Sequence, residues 1–195
     1  MDSRHQAGGS RSDISSGRVK LIILDRDGVI NHDSDAYIKS PDEWRPIPGS
    51  LQAIARMTAA GWRITVATNQ SGVARGLFDL ATLGAIHSKM HQAVGEAGGR
   101  IDAVFFCPHG PDSACQCRKP SPGLYREILG RFRVEPRDVV VVGDSLRDLQ
   151  AAEAIGCRSY LVLTGKGNRT QRQGGLPAGT QVRADLAAVV AELTA

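Results

Sequence analysis

Short apolar segments alternate with amphipathic segments along most of the chain. Five segments have the length and apolar character of buried strands: residues 19–24, 62–68, 101–106, 138–143 and 158–163. Apolar positions recur at helical spacing in residues 50–61, 121–132, 146–156 and 185–193, and in a helix that carries Leu80, Leu83, Ile86, Met90 and Val94. Ser50 is suited to cap the first of these helices, and Gly61 and Gly156 are suited to end two of them.

The alternation of strands and helices predicts the fold class. Strands that are separated by helices pair in parallel, and the helices cover both faces of the sheet. Right-handed crossovers then give a doubly wound α/β fold. In such folds ligands bind at the carboxyl ends of the strands, so the residues that follow each strand are the candidates for function.

Composition and charge indicate the class of protein and the kind of ligand to expect. The chain has 195 residues, of which 42% are hydrophobic, and its net charge is +4. We expect a disordered tail over residues 1–18, rich in Gly, Ser and Arg, and one folded domain over residues 19–195. The apolar runs are too short to span a bilayer and the start has no apolar signal-peptide core, so we expect a cytoplasmic monomer without membrane contact. The scattered basic residues favour an anionic small molecule over nucleic acid.

Polar side chains follow four of the predicted strands. They are Asp25 and Asp27 after the first strand, Thr68, Asn69, Gln70 and Ser71 at the end of the second, Arg118 and Lys119 after the third, and Asp144 and Asp148 after the fourth. Each alone has an ordinary explanation as a helix cap, a turn residue or a solvated charge. Because parallel strands end at one edge of the sheet, all four groups should converge there.

The residue types at this edge suit phosphoryl transfer. Clustered carboxylates favour Mg²⁺, to which Asp25 and Asp144 can contribute oxygens. Mg²⁺ would offset the repulsion between Asp25 and an anionic phosphate, so Asp25 can attack the phosphate. Lys119 and Thr68 can hold the phosphoryl oxygens during the attack. Asp27 lies two residues on, so in an extended chain it faces the same side as Asp25 and can protonate the leaving oxygen and then activate water. We expect a neighbouring carboxylate and partial burial to raise the pKa of Asp27.

A second cluster has the composition of a structural metal site. Cys107 and His109 are separated by one residue, as are Cys115 and Cys117. Three thiolates and one imidazole suit tetrahedral Zn²⁺, with no position left open for water. The alternative is a reduced loop without metal. Zinc would stiffen the loop of residues 107–117, which leads directly into Arg118.

Four segments together identify a family. The stretches DRDGVIN (25–31), TNQSGVARG (68–76), CRKPSPG (117–123) and GDSLRD (143–148) resemble, in order, the four motifs of the haloacid dehalogenase (HAD) superfamily of phosphohydrolases. The resemblance covers residues 19–170 and implies a Rossmann-like HAD fold. The gaps between the motifs hold about one helix–strand unit each, so we expect a cap domain to be minimal or missing. The resemblance also implies hydrolysis through a phosphoaspartyl intermediate.

The resemblance also implies roles for individual residues. Asp25 would be the nucleophile and Asp27 the acid and base, with Mg²⁺ held by Asp25, the backbone carbonyl of Asp27, and Asp144. Thr68 and Lys119 would bind the transferring phosphoryl group. The remaining implied roles are Arg118 at the remote part of the substrate, Asp33, Tyr37, Asn69, Gln70 and Ser71 in a sugar pocket, and Asp148 behind the metal site. Ser145 stands where relatives often have lysine, and the segment after Asn31 is a residue longer than in some relatives.

Within the superfamily, the cysteine-containing insert resembles two families. One is the heptose-bisphosphate phosphatases, which remove one phosphate of a sugar bisphosphate in the biosynthesis of activated heptose for lipopolysaccharide. The other is the histidinol-phosphate phosphatases. The stretches TNQSGVARG and LTGKG (163–167) are similar to the first family and make a sugar bisphosphate the expected substrate.

Two further interpretations remain open from the sequence. A zinc-stabilised nucleic-acid-binding module is the alternative of a different class, although aromatic residues make up only 5% of the chain and no basic run is present. His87 and His91 lie four residues apart on a predicted helix. That spacing can bind metal, but without a third ligand it favours a partly solvated helix face.

Overall fold

The computed structural model describes residues 20–195 and contains a six-stranded sheet flanked by helices. The strands are β1 Leu21–Leu24, β2 Arg63–Asn69, β3 Ala103–Cys107, β4 Val139–Gly143, β5 Arg158–Val162 and β6 Gln181–Arg183. The helices are α1 Ser50–Ala59, α2 Leu80–Glu96, α3 Gly123–Phe132, α4 Leu146–Glu153, α5 Gly167–Gln173 and α6 Leu186–Leu193. The tail expected over residues 1–18 lies outside the described residues.

All five strand pairings are parallel, and the strand order is β3-β2-β1-β4-β5-β6. The chain winds outward from β1 to β3, returns to the centre at β4, and winds outward again to β6. The direction therefore reverses between β1 and β4, and a crevice opens at such a switch point, beyond the carboxyl ends of the two strands. Asp25 follows β1 directly and Asp144 follows β4 directly, so the topology alone brings these two acids together.

Strand β1 shows why the sheet is central to the core. Its four side chains are all buried, and they alternate between the two faces, as the period of two requires. Ile22 and Leu24 pack into the core layer that contains α1, α2 and α6. Leu21 and Ile23 pack into the opposite layer with α3 and α4. The predicted doubly wound α/β fold with helices on both faces is confirmed.

Local details differ from the sequence prediction at three places. Gly49, not Ser50, caps α1, with a φ of +85°, and the Ser50 hydroxyl instead donates to the Val29 carbonyl at 2.9 Å. Leu80 lies in the first turn of α2 and is 57% exposed, although its helical spacing predicts burial. Helix α5 and strand β6 were not predicted, because α5 has no apolar periodicity and β6 has only three residues.

Most connections between elements are short. The longest, residues 25–49, contains two isolated bridges and one 3₁₀ turn, Pro41–Glu43, so no cap domain interrupts residues 20–195. Within that range, no helix combines the length and the apolar character needed to cross a bilayer.

Candidate active site

A cavity of about 360 Å³ lies at the switch point, at the carboxyl edge of the sheet. The predicted residues that line it are Asp25, Asp27, Asp33, Tyr37, Thr68, Asn69, Gln70, Ser71, Arg118, Lys119, Asp144 and Asp148. Ser34 and Asp35, which belong to the segment 33–37 expected to line a sugar pocket, also lie in its lining, and the residues there that were not predicted are Ile38, Arg75, Pro111, Ser145, Arg147 and Lys166. Residues that lie more than a hundred positions apart in the chain thus share one chamber.

Lys119 is the central cation of the cavity. Its side chain is 2% exposed, and its ammonium lies 3.1 Å from Asp25 Oδ1 and 2.5 Å from Asp148 Oδ1. The ammonium also donates to the Ala67 carbonyl at 2.7 Å. Burial alone would lower the pKa of Lys119, but the two carboxylates outweigh it and raise that pKa above its ordinary value. Lys119 therefore remains charged and holds a strand end, a loop and a helix together.

Asp148 holds Lys119 from behind. It is fully buried in the first turn of α4, and its Oδ2 accepts hydrogen bonds from the Ser145 backbone N–H at 3.1 Å and from the Ser145 hydroxyl at 2.6 Å. Ser145 therefore has a structural task at a position where relatives often have lysine. Ser145 engages one oxygen of Asp148 and Lys119 the other, so Asp148 holds Lys119 in place.

Three carboxylates crowd the mouth of the sheet. One oxygen each of Asp25, Asp144 and Asp148 lies within 4.8 Å of the other two. Burial is the main cause that raises the pKa of Asp25 well above its ordinary value, against the opposing charge of Lys119. Burial and then the Asp148 charge raise the pKa of Asp144 to about 7. With all three carboxylates ionised, the site would hold more negative charge than one lysine offsets, which is one reason why the pKa values of Asp25 and Asp144 are raised.

Asp27 departs from the expectation made for it. Its carboxylate accepts hydrogen bonds from Arg26 through Nε at 3.1 Å and Nη2 at 3.0 Å, from Asn31 Nδ2 at 2.9 Å and from Gln70 Nε2 at 2.9 Å. Burial would raise its pKa, but the Arg26 charge and these hydrogen bonds lower it below its ordinary value. The predicted upward shift for Asp27 is wrong, and the raised pKa belongs to Asp25.

The segment that follows β2 organises the other side of the cavity. Asn69 clamps the backbone of Lys119, since its amide donates to the Lys119 carbonyl at 3.0 Å and accepts from the Lys119 N–H at 3.1 Å. Gln70 Nε2 lies 2.9 Å from both Asp27 Oδ2 and Thr68 Oγ1. Two residues predicted to line a sugar pocket therefore also fix the positions of Lys119, Asp27 and Thr68.

Sequence reasoning missed the role of the stretch LTGKG (163–167) in the site. The Lys166 backbone N–H donates to Asp144 Oδ2 at 2.7 Å, and its ammonium lies 2.8 Å from Asp33 Oδ2. A Cβ on Gly165 would lie 2.2 Å from Asp144 Oδ2, and one on Gly28 would lie 2.1 Å from the same atom, so both positions require glycine. The signal was available, because this stretch follows the carboxyl end of β5.

The cysteine and histidine side chains converge as the spacing predicted. Cys107 Sγ lies 3.7 Å from Cys115 Sγ and 3.6 Å from His109 Nδ1, and His109 Nδ1 lies 3.3 Å from Cys117 Sγ. Zn–S bonds of about 2.3 Å and Zn–N bonds of about 2.0 Å in a tetrahedron separate the ligand atoms by about 3.5–3.8 Å. The two contacts of Cys107 fall in this range, the His109–Cys117 separation is slightly shorter, and all four ligand atoms lie within 4.8 Å of one another, so the cluster could hold a metal ion. Arg118 Nη1 also donates to the His109 carbonyl at 3.2 Å, which ties this loop to the cavity.

Comparison with known proteins agrees with the fold and the motifs. Residues 116–189 match the family described as HAD-hydrolase-like. The D-glycero-beta-D-manno-heptose-1,7-bisphosphate 7-phosphatase of Bordetella bronchiseptica is 64% identical over 175 residues, which are 90% of this chain and 98% of that protein. The enzyme of the same name from Pseudomonas putida is 54% identical, over 90% of this chain and 99% of the relative.

Solved structures give the same result. The chain superposes with a TM-score of 0.89 on the crystal structure of D,D-heptose 1,7-bisphosphate phosphatase from B. bronchiseptica in complex with magnesium and phosphate, at 64% identity and with 90% and 98% of the two chains covered. The corresponding Burkholderia thailandensis structure gives a TM-score of 0.72 at 54% identity, with 89% and 97% covered. The chain therefore belongs to the D-glycero-beta-D-manno-heptose-1,7-bisphosphate 7-phosphatase family of the HAD superfamily.

Proposed function

We propose that this protein hydrolyses the 7-phosphate of D-glycero-beta-D-manno-heptose 1,7-bisphosphate through a phosphoaspartyl intermediate on Asp25. The observation that carries the proposal is the placement of Asp25 and Asp144 at the switch point, with the Lys119 ammonium 3.1 Å from Asp25 Oδ1. Family membership supports the substrate, since relatives that are 64% and 54% identical carry this name.

The donor set fits a magnesium ion. Asp25, Asp144 and Asp148 supply three negative charges and Lys119 supplies one positive charge, which leaves a formal charge of −2 for a divalent cation to balance. Hard carboxylate oxygens are the ligands that Mg²⁺ prefers. Asp25 and Asp144 would hold the ion together with the Asp27 carbonyl, because Ser145 and Lys119 already engage Asp148. When bound, Mg²⁺ supplies positive charge that offsets the repulsion between Asp25 and the phosphate.

The residues of the chain then have separate tasks. A carboxylate oxygen of Asp25 attacks phosphorus, and the bond from phosphorus to the sugar oxygen breaks. Lys119 and the Thr68 hydroxyl stabilise the charge on the transferring group. Asp27 gives a proton to the departing sugar oxygen and later takes one from the water that attacks the phosphoaspartate. The lowered pKa of Asp27 favours the ionised form, which is the base of this second step, so the proton for the first step is taken up from solution before the leaving group departs.

The far side of the cavity suits the rest of a sugar bisphosphate. Asp33, Tyr37 and Ser71 offer polar atoms for sugar hydroxyls, and the Lys166 ammonium lies 2.8 Å from Asp33, where it offsets that charge. Arg118 lines the same cavity and can bind the second phosphate through its planar guanidinium. Its hydrogen bond to the His109 carbonyl indicates that the zinc loop sets its position.

The proposed zinc role is structural. Cys107, His109, Cys115 and Cys117 have the spacing for tetrahedral coordination, and four protein ligands leave no position for a catalytic water. Zinc bound there would fix the loop that leads into Arg118 and Lys119.

The first experiment tests which substrate is hydrolysed and which phosphate ester bond is cleaved. Purified protein with Mg²⁺ is given the heptose bisphosphate and, separately, histidinol phosphate, and the reactions are followed by phosphorus NMR. We expect the 7-phosphate signal to disappear while the 1-phosphate signal persists. Faster hydrolysis of histidinol phosphate would overturn the proposed substrate. In the same assay Asp25→Asn should abolish turnover because an amide cannot serve as the nucleophile, whereas the exposed Asp42→Asn should match the unaltered protein.

A residual Asp25→Asn rate above about 1% of the unaltered rate, equivalent to a barrier only about 2.7 kcal/mol higher, would contradict covalent catalysis by Asp25.

A second experiment tests the zinc loop. Protein purified without chelators should contain about one zinc per chain by mass spectrometric metal analysis. Cys117→Ser removes one thiolate and should lower both zinc content and kcat/KM at saturating Mg²⁺, because the loop no longer holds Arg118 and Lys119. Cys157→Ser is the matched control, since this buried cysteine stands outside the cluster. Full activity in a zinc-depleted Cys117→Ser protein would show that the loop does not depend on the metal.

A third experiment tests Arg118 as the remote anchor. A charge-assisted hydrogen bond contributes about 1.5–3 kcal/mol. Arg118→Ala should therefore lower kcat/KM for the heptose bisphosphate by about ten- to a hundredfold, with little change for a sugar monophosphate. Arg131→Ala, in an exposed turn of α3, serves as the control. Equal losses on both substrates would remove Arg118 from the remote phosphate site.

A further inference from the structure

Arg26 is a buried charge that the reaction described above does not use. It stands between the two aspartates of DRDGVIN and is completely buried. Its backbone N–H donates to Asp25 Oδ1 at 2.7 Å. Its side chain reaches Asp27, with Nε and Nη2 on Oδ1 at 3.1 and 3.0 Å and Nη2 on Oδ2 at 3.0 Å. Arg26 thus touches both aspartates of the motif.

The remaining corner of the Arg26 guanidinium points at His87 on α2. Arg26 Nη1 lies 3.3 Å from His87 Nε2. Arginine can only donate, so this contact is a hydrogen bond only if Nε2 accepts, which requires a neutral ring with its proton on Nδ1. Burial and then the Arg26 charge lower the pKa of His87 to about 4, which keeps the ring neutral near pH 7. His87 also lies beside Phe106, with 6.1 Å between the ring centroids.

We propose that His87 is a positioning residue which, through the Arg26 guanidinium, fixes the Asp27 carboxylate for proton transfer to the leaving group. The inference rests on the proposed function of Asp27. It assigns a task to a histidine whose spacing from His91 suggested either a metal ligand or a solvated surface. His91 is exposed and belongs to no metal-ligand group among the described residues, whereas His87 faces the motif.

The guanidinium is rigid and planar, so its orientation fixes the positions of all its N–H groups together. Nε and Nη2 hold the two oxygens of Asp27 from one side, and Nη1 is the corner by which the plane can be held in place. Without an acceptor at His87, a buried N–H would have no partner, and the guanidinium would tilt to find one. The Asp27 carboxylate would then follow.

A purely structural His87 makes a different prediction from a positioning His87. A packing residue changes stability, and any loss of activity is then shared by all substrates. Misplacement of Asp27 penalises mainly those substrates whose leaving group needs a proton. The distinguishing quantity is kcat/KM, which covers the steps up to departure of the leaving group, measured over a series of aryl phosphates of similar size and graded leaving-group acidity.

The experiment compares three variants with the unaltered protein. His87→Phe removes the acceptor and keeps a ring, His87→Gln retains an acceptor, and His91→Phe alters the neighbouring histidine one turn away. We expect His87→Phe to lower kcat/KM by about ten- to a hundredfold for phenyl phosphate and by about twofold or less for dinitrophenyl phosphate, since misplacing Asp27 should remove only a fraction of the roughly 10²–10⁴-fold contribution of general acid catalysis. The slope of log kcat/KM against the pKa of the leaving group describes this dependence. His87→Gln and His91→Phe should keep the slope of the unaltered protein.

Each outcome decides between the alternatives. A parallel loss across the series, or no loss, overturns the inference. If thermal melting shows that His87→Phe does not fold, His87→Leu carries the same expectation. An unaltered protein that hydrolyses none of these esters and no heptose bisphosphate contradicts the proposed function itself. An active protein whose slope is insensitive to His87 contradicts only this inference.

Discussion

The site depends on the burial of one ammonium group, that of Lys119. A buried charge is costly unless opposite charges surround it, and Lys119 meets that requirement with Asp25, Asp148 and the Ala67 carbonyl. These partners belong to the end of β1, to α4 and to β2, so the ion pairs close only when the sheet has formed in its native order. The same contacts fix one carboxylate oxygen of Asp25 beside the ammonium group that we propose stabilises the transferring phosphate.

The surrounding segments act on the same centre from different directions. Asn69 holds the Lys119 backbone with both atoms of its amide group. The cysteine loop ends immediately before Arg118 and binds its guanidinium through the His109 carbonyl. The LTGKG stretch reaches Asp144 from the far side, and a side chain on Gly28 or Gly165 would collide with the Asp144 carboxylate. The residues proposed for catalysis, metal binding and substrate recognition are therefore joined to one another by direct contacts.

The sequence predicts the strands, most helices and the edge at which the polar residues meet, because apolar periodicity and parallel topology follow local rules. Contacts that depend on how the chain turns could not be predicted from the sequence. An extended chain would direct Arg26 away from Asp27, but residues 26–31 turn, with the Ile30 N–H bonded to the Arg26 carbonyl at 2.9 Å. Arg26 therefore folds onto Asp27 and lowers its pKa, contrary to prediction. Leu80 is exposed because periodicity does not say where a helix leaves the core.

The proposed mechanism requires that Asp25 carries the phosphoryl group during turnover. Borohydride reduces an acyl phosphate to an alcohol, so a phosphoaspartate becomes homoserine. The measurement is rapid quenching during reaction with the heptose bisphosphate and Mg²⁺, followed by borohydride reduction and peptide mass spectrometry. We expect homoserine at position 25, dependent on substrate and absent without it. Homoserine at the position of another aspartate would contradict this mechanism. So would the absence of homoserine during rapid turnover, when an acyl phosphate standard treated in parallel is recovered as its alcohol.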